Sequence, residues 1–217
     1  MVAKVIAVCN QKGGSGKTTL SMQLAGALAR RKKKVLVVDA DPQGTATRWA
    51  SSAEEKPFPA PVVGLSAAGG KVHREVEKFV DDYQYIIVDC PPAADSRVPQ
   101  SALLVADLAL VPVILSALDM WATVGIREVI ENVGDINEGL KSRLVINQCQ
   151  PNTSLSKEIL KVIPEFGIEA CTARVCLRQV YKQSAVDGQT VYDYGAKAAP
   201  AVEEIEALTD EVLKLLK

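Results

Sequence analysis

Gln11-Lys12-Gly13-Gly14-Ser15-Gly16-Lys17-Thr18-Thr19 is the stretch on which the reading of this chain turns. It follows an apolar run, Lys4-Val-Ile-Ala-Val-Cys9, and leads into a helical pattern from Leu20 to Arg31. Strand, glycine loop and helix in that order are the context a phosphate-binding loop requires. Glycines let the backbone curl so that successive N–H groups point at phosphate oxygens, and the positive end of the helix adds to the attraction. On that reading Gly13, Gly14, Ser15, Gly16, Lys17, Thr18 and Thr19 cradle a nucleotide. Lys17 reaches the β- and γ-phosphates, and the Thr18 hydroxyl holds Mg²⁺.

The plain pattern G-x-x-x-x-G-K-[ST] fails at one place. Counting back five from Gly16 gives Gln11 where the first glycine should stand. The loop instead reads K-G-G-S-G-K-T, a deviant Walker A form, and here the sequence resembles the ParA/MinD superfamily of ATPases. Its length is similar to that of the small, ParF-like partition proteins of that group. The resemblance implies ATP and Mg²⁺ as cofactors, ATP hydrolysis, and a homodimer formed on ATP binding. In the superfamily the additional lysine reaches across the dimer to the partner's nucleotide, a role that falls by position on Lys12.

A phosphoryl-transfer site also needs a held magnesium ion and a positioned water. Val35-Leu-Val-Val-Asp39 continues into Ala40-Asp41-Pro42-Gln43-Gly44. By resemblance, this D-x-D-P-Q segment is the switch that senses the γ-phosphate, with Asp41 aligned to the acid that orients or activates the attacking water and Asp39 supporting the magnesium region. Tyr85-Ile-Ile-Val-Asp89 has the apolar-run-plus-Asp form of Walker B, which sets Asp89 at the sheet's carboxyl edge to bind Mg²⁺ through a water. Pro91-Pro92 is similar to the family's second switch. Asn147 ends a further strand where relatives use a side-chain amide against adenine, and an amide both donates and accepts. A strand-terminating Asn is the alternative.

Composition bounds the rest. The chain has 217 residues, 48% of them hydrophobic and 24% charged, with a formal net charge of −1. That describes a globular α/β protein able to bury a good core, without a general cationic field for nucleic acid. No run approaches a membrane span, and the N-terminus has no secretory pattern. The cysteines Cys9, Cys90, Cys149, Cys171 and Cys176 are scattered and read as reduced, mostly buried thiols of a cytoplasmic protein. Cys171 and Cys176, nearest in sequence, lack the spacing of cluster ligands. His73 reads as solvated.

Strand-like runs at Lys4–Cys9, Lys33–Asp39, Tyr85–Asp89, Leu108–Val113, Leu144–Asn147 and Ile168–Thr172 alternate with helical patterns. The expectation is a mainly parallel central sheet with helices on both faces, the deviant Walker P-loop NTPase fold, in one domain over 1–217. Glu54 to Gly70 reads as a loop with one short strand at Pro61 to Leu65. Helices are expected over Val72–Asp82, Asp119–Asn132, Ser154–Phe166 and Pro200–Leu216.

For partners, the resemblance implies non-specific DNA bound by the ATP dimer and a ParB-like or adaptor protein that stimulates the ATPase. Arg174, Arg178, Lys182 and Lys197 are the DNA-contact candidates. Arg30-Arg31-Lys32-Lys33-Lys34 is either a second patch or a solvated helix end. Attachment to membrane through the last helix, as in MinD-like proteins, is disfavoured. Its polar face carries Glu203, Glu204, Glu206, Asp210 and Glu211 against Lys214 and Lys217, and its apolar stripe should pack on the protein's body. A positioning ATPase, nucleoid-associated in its ATP state, is the leading reading. A metabolic enzyme similar to dethiobiotin synthetase or cobyrinate amidase is the alternative, although no second catalytic cluster is visible.

Overall fold

The computed structural model describes residues 2–92, 96–150 and 163–217. The apolar runs form seven strands: β1 (Lys4–Val8), β2 (Val35–Asp39), β3 (Val62–Gly64), β4 (Tyr85–Asp89), β5 (Leu108–Val113), β6 (Lys141–Cys149) and β7 (Ala170–Cys176). They lie in one sheet in the order β3-β2-β4-β1-β5-β6-β7, and every pair is parallel. Parallel neighbours need a crossover, and the crossovers place helices over both faces, so the central strands are apolar on both sides.

β1 shows the division. Val5 and Ala7 point into one core with Val72, Val76, Ala102 and Ile126. Ile6 and Val8 point into the other with Leu20, Leu24, Leu28 and Trp49. The first face is covered by α3 (Val72–Val76), α4 (Val98–Leu103) and α5 (Ala117–Gly134), the second by α1 (Lys17–Arg30), α2 (Thr45–Ser51), α6 (Gln179–Val186) and α7 (Ala199–Leu215).

Several elements differ from expectation for local reasons. α1 begins at Lys17 rather than Leu20, because the loop's own Gly16, at φ 89°, is the residue before the first turn. The helix expected over Val72–Asp82 is α3 followed by a 3-10 turn at Glu77–Phe79. β6 extends well beyond Leu144–Asn147 at both ends, and β7 lies two to four residues later than the expected strand. The expected helix Ser154–Phe166 lies outside the described residues except for its end, a 3-10 turn at Ile163–Phe166. α2, α4 and α6 were not foreseen; each is short, and α2 buries only Ala46 and Trp49.

The last helix behaves as its pattern predicts. Ala201, Ile205, Leu208 and Val212 are buried in the core that α1 also faces. The basic run is engaged there too: Arg31 pairs with Glu206 and, at 2.6 Å, with Asp210, while the Arg30 guanidinium lies 5.2 Å over the Tyr192 ring. Among the described residues no helix is long and apolar enough to cross a membrane.

Candidate functional site

The loop between β1 and α1 is pinned from below. Asn10 donates through Nδ2 to the Pro112 carbonyl of β5 at 2.7 Å and accepts the Lys12 N–H at 3.1 Å. Gly14 and Gly16 take positive φ values of 77° and 89°, a conformation open to glycine at little cost. Gln11, standing where the plain motif has glycine, packs on α5: a Cβ on Gly125 would come within 2.3 Å of its Oε1. The absent glycine is thus matched by a glycine on the opposing helix.

β6 holds the loop from the side. Asn147, buried, donates from Nδ2 to the Ser15 carbonyl at 2.7 Å, and Gln148 donates from Nε2 to the Gly14 carbonyl at 2.8 Å. Gln148 itself sits at φ 50°, left-handed backbone in a non-glycine residue, at a register irregularity between β6 and β7. Strain of this kind persists where surroundings over-determine it, and it concentrates at ligand sites.

Beside the loop, outside the carboxyl ends of the strands, opens a cavity of about 520 Å³. That is the position and size at which open parallel sheets bind small ligands. Its floor is Gly14 and Gly16 to Thr19. Asp41, Thr45 and Pro92 form one wall, and Asn147, Gln148, Cys176, Arg178, Tyr181 and Lys182 the other.

Lys17 is buried, and its Nζ donates to the Lys12 carbonyl at 3.0 Å. Burial lowers its pKa, against the opposing pull of Asp89, Cys90, Asp41 and Cys9. A desolvated ammonium above a cradle of glycine backbone suits a polyphosphate. Asp89 is fully buried and accepts from Thr18 Oγ1 at 2.7 Å and from Ser21 Oγ at 3.2 Å. Burial pushes its carboxyl up to about 7, the Thr18 and Ser21 hydrogen bonds pull it down, and Asp39 in the next strand raises it. Among the described residues no group of three or more His, Cys, Asp or Glu gathers to hold a metal. One hydroxyl that lines the cavity, backed by one buried carboxylate, fits Mg²⁺, which keeps waters and takes few protein ligands.

The other expected residues fall as follows. Asp41 lines the cavity and accepts the Gln43 N–H at 2.9 Å. Asp39, expected to support the magnesium region, is the register partner of Asp89, and its Oδ2 accepts Thr47 N–H at 2.8 Å and Thr47 Oγ1 at 2.9 Å, so it also ties down the first turn of α2. Lys12 supplies the single carbonyl that receives both Lys17 Nζ and Ser15 Oγ. Of the DNA candidates, Arg178 and Lys182 line the nucleotide-sized cavity, and Lys197 shares a second groove with Arg178, its ammonium 5.6 Å over the Tyr194 ring. Arg174 lies in a separate groove with Ile146 and Cys171. Arg178 is already committed, with Nε and Nη2 on Glu204 at 2.9 and 2.6 Å.

Sequence reasoning missed Ser21, Gln148 and Glu204. Ser21 is one turn beyond Lys17 on α1, and that spacing was the available signal. Gln148 adjoins Asn147 in a strand-ending amide pair. Glu204 carried no local signal.

The description "CobQ/CobB/MinD/ParA nucleotide binding domain" matches residues 6–191. The chain is 33% identical over 212 residues to the maintenance of carboxysome distribution protein A of Halothiobacillus neapolitanus, covering 97% of each. It is 32% identical to the protein of the same name from Gloeobacter kilaueensis, over 92% of this chain and 89% of that one. In fold it is similar to the apo McdA structure from Cyanothece, with TM-score 0.77 and 18% identity over 95% of this chain and 99% of that one.

Proposed function

This chain belongs to the CobQ/CobB/MinD/ParA nucleotide-binding family, and on that premise we propose that it is a cytoplasmic positioning ATPase. In this reading Mg-ATP fills the cavity, two copies close on each other, and the dimer holds DNA non-specifically until an adaptor protein stimulates hydrolysis. The observation that carries it is the convergence of Lys17, Thr18 and Asp41 on one cavity floored by Gly14 and Gly16, with the buried Asp89 directly behind Thr18. The relatives named for carboxysome distribution favour a bulky protein assembly as cargo over a plasmid or chromosome locus.

Bound Mg-ATP supplies the transferable phosphoryl group and the metal charge that offsets its oxygens. The chain's residues do the rest. Lys17 exchanges its bond to the Lys12 carbonyl for phosphate oxygens. The Thr18 hydroxyl would hold the metal, and Asp89, which now accepts from that hydroxyl, would hold it through a water. Asp41 orients the attacking water at the open side. No acceptor other than water is needed, which separates this reading from an amidase or synthetase.

The test pairs a titration with turnover. Lys17→Ala should abolish ATP binding by calorimetry. The unaltered chain should hydrolyse ATP slowly without any small-molecule acceptor, and faster with DNA and its adaptor. Unchanged ATP affinity in Lys17→Ala would sink the assignment.

A further inference from the structure

The cysteines nearest in space are not those nearest in sequence. Cys149 ends β6 and Cys176 ends β7; they are register partners across the two strands, and their sulfurs lie 2.7 Å apart, both as thiols. Neighbouring strands sit about 4.8 Å apart, inside the Cα separation a disulfide spans, and the sulfurs are within roughly an ångström of bonding distance. Cys149 is buried, whereas Cys176 lines the nucleotide cavity.

We propose that Cys149 and Cys176 form a thiol–disulfide site, oxidised by a small disulfide that enters through the nucleotide cavity. The sequence of bonds is simple. The Cys176 thiolate attacks one sulfur of RSSR, forming Cys176–S–SR and releasing RS⁻, which takes up the proton Cys176 gave up. Cys149 then attacks the Cys176 sulfur, the mixed disulfide breaks, and a second RS⁻ leaves with the proton of Cys149. Two protein thiols are oxidised and one external disulfide is reduced to two thiols.

The position gives the bond a consequence. Immediately before Cys149, Asn147 and Gln148 hold the carbonyls of Ser15 and Gly14. Immediately after Cys176, Leu177 donates its N–H to the Cys149 carbonyl at 3.1 Å, and Arg178 enters the cavity wall. A covalent tie here fixes the residues that cradle the phosphates to those that close the far wall, so oxidation alters nucleotide affinity. The Cys176 thiol stays protonated at neutral pH. Burial pushes the Cys176 thiol up to about 12, with hydrogen bonds to Cys149 and Glu204 adding to the rise. The ionisable groups facing it are Cys149 on β6, Glu204 on α7, Tyr181 on α6 and Arg178 before α6. Exchange should therefore be slow at neutral pH and accelerate as pH rises.

The experiment incubates the nucleotide-free full chain with oxidised glutathione and maps disulfide peptides over time. The expected product is the Cys149–Cys176 cross-link, lost in Cys176→Ser and retained in Cys171→Ser. Saturating Mg-ADP should slow its formation at least tenfold, an arm that rests on the nucleotide reading above. The cross-linked chain should bind ADP at least tenfold more weakly, with affinity restored by dithiothreitol and with Cys149→Ser unresponsive. Stable glutathione adducts at Cys176 without a cross-link would overturn the proposal, as would bonds to Cys171, bonds between chains, or an ADP affinity unmoved by oxidation. A chain that binds ADP by calorimetry but oxidises equally fast with ADP present would overturn the cavity route. If the reduced chain binds no ADP, the nucleotide reading fails, while the cross-link map still decides the pair.

Discussion

At the scale of single residues, Asn147 has one amide and two tasks. One of its two Nδ2 protons goes to the Ser15 carbonyl. Its Oδ1, an acceptor that this contact does not use, is the atom we propose meets the base. An acceptor matches the amino group of adenine and opposes the O6 of guanine, which is also an acceptor. Asn147→Ala should thus weaken ATP binding about tenfold or more, the equivalent of one lost hydrogen bond, and also narrow the preference for ATP over GTP. Parallel ATP and GTP titrations measure both; an equal loss for both would leave Asn147 as a loop holder only. Gly16 limits the alternatives: a Cβ there would lie 2.1 Å from Asn147 Nδ2, on backbone at φ 89°. Asp41 makes a cleaner separation. Asp41→Ala should leave ATP binding intact while turnover stalls, because the carboxylate lines the cavity wall and bonds the Gln43 N–H rather than the glycine loop. Wild-type turnover in that variant would reduce Asp41 to a turn former.

Between elements, α7 is tied to the site through Glu204. Its carboxylate accepts from Arg178, from Tyr181 Oη at 3.0 Å and from the Cys176 N–H at 3.1 Å. Burial raises the Glu204 pKa, but these hydrogen bonds outweigh it, and the net value lies below the ordinary 4.5. A carboxyl depressed in the fold stabilises fully above its unfolded pKa, and that stabilisation fades as pH falls through the folded value. Glu204→Gln should therefore lower the thermal midpoint at neutral pH, at a cost of about 1–3 kcal/mol, and lose less stability than wild type on going from pH 5 to lower pH. Melting curves against pH decide it; parallel curves for the two proteins would remove Glu204 from the acid response. This tie was invisible in the sequence, because 26 residues separate Arg178 from Glu204 and nothing local marks the pair. The strands were legible because parallel strands buried on two faces must read as apolar runs. The phosphate cradle was legible because glycine at set spacing has few other uses. Short helices such as α2 and α6 were not, since two buried residues apiece make no periodicity. Asp39 adds a contact the sequence did not mark: beside Asp89 in the sheet, it also accepts from Thr47 and so anchors α2.

At the scale of the whole molecule, the question is why the loop carries a second lysine. Lys17, the glycine backbone and Asp89 already serve one nucleotide from within one subunit. Lys12 sits before the glycines, and its carbonyl is what Lys17 holds while no phosphate competes. When Lys17 turns to phosphate, that carbonyl loses one of its two donors and keeps Ser15 Oγ, so the loop holds its shape while Lys12 would turn to a second copy. If two copies meet across their nucleotides, the arrangement is isologous, and each Lys12 reaches the other's phosphates. On the proposed reading, charge arriving from the partner would stabilise the transferring oxygens as an arginine finger does. It would also make the dimer depend on ATP, since without phosphates two lysines approach with no anion between them. On the proposed reading, DNA binding would follow from the pairing. With a net charge of −1 the chain has no general field for DNA, so doubling the edge formed by Arg178, Lys182 and Lys197 would be what builds a cationic surface. Such binding should fall by roughly tenfold or more between low and physiological salt for a handful of phosphate contacts. Lys12→Ala should keep appreciable ATP binding as a monomer and lose the ATP-induced dimer, hydrolysis and DNA binding together. Light scattering with ATP in an Asp41→Ala background, where turnover is stalled, isolates the pairing step. A Lys12→Ala protein that dimerises there as tightly as its parent would show that the second lysine does not cross the interface.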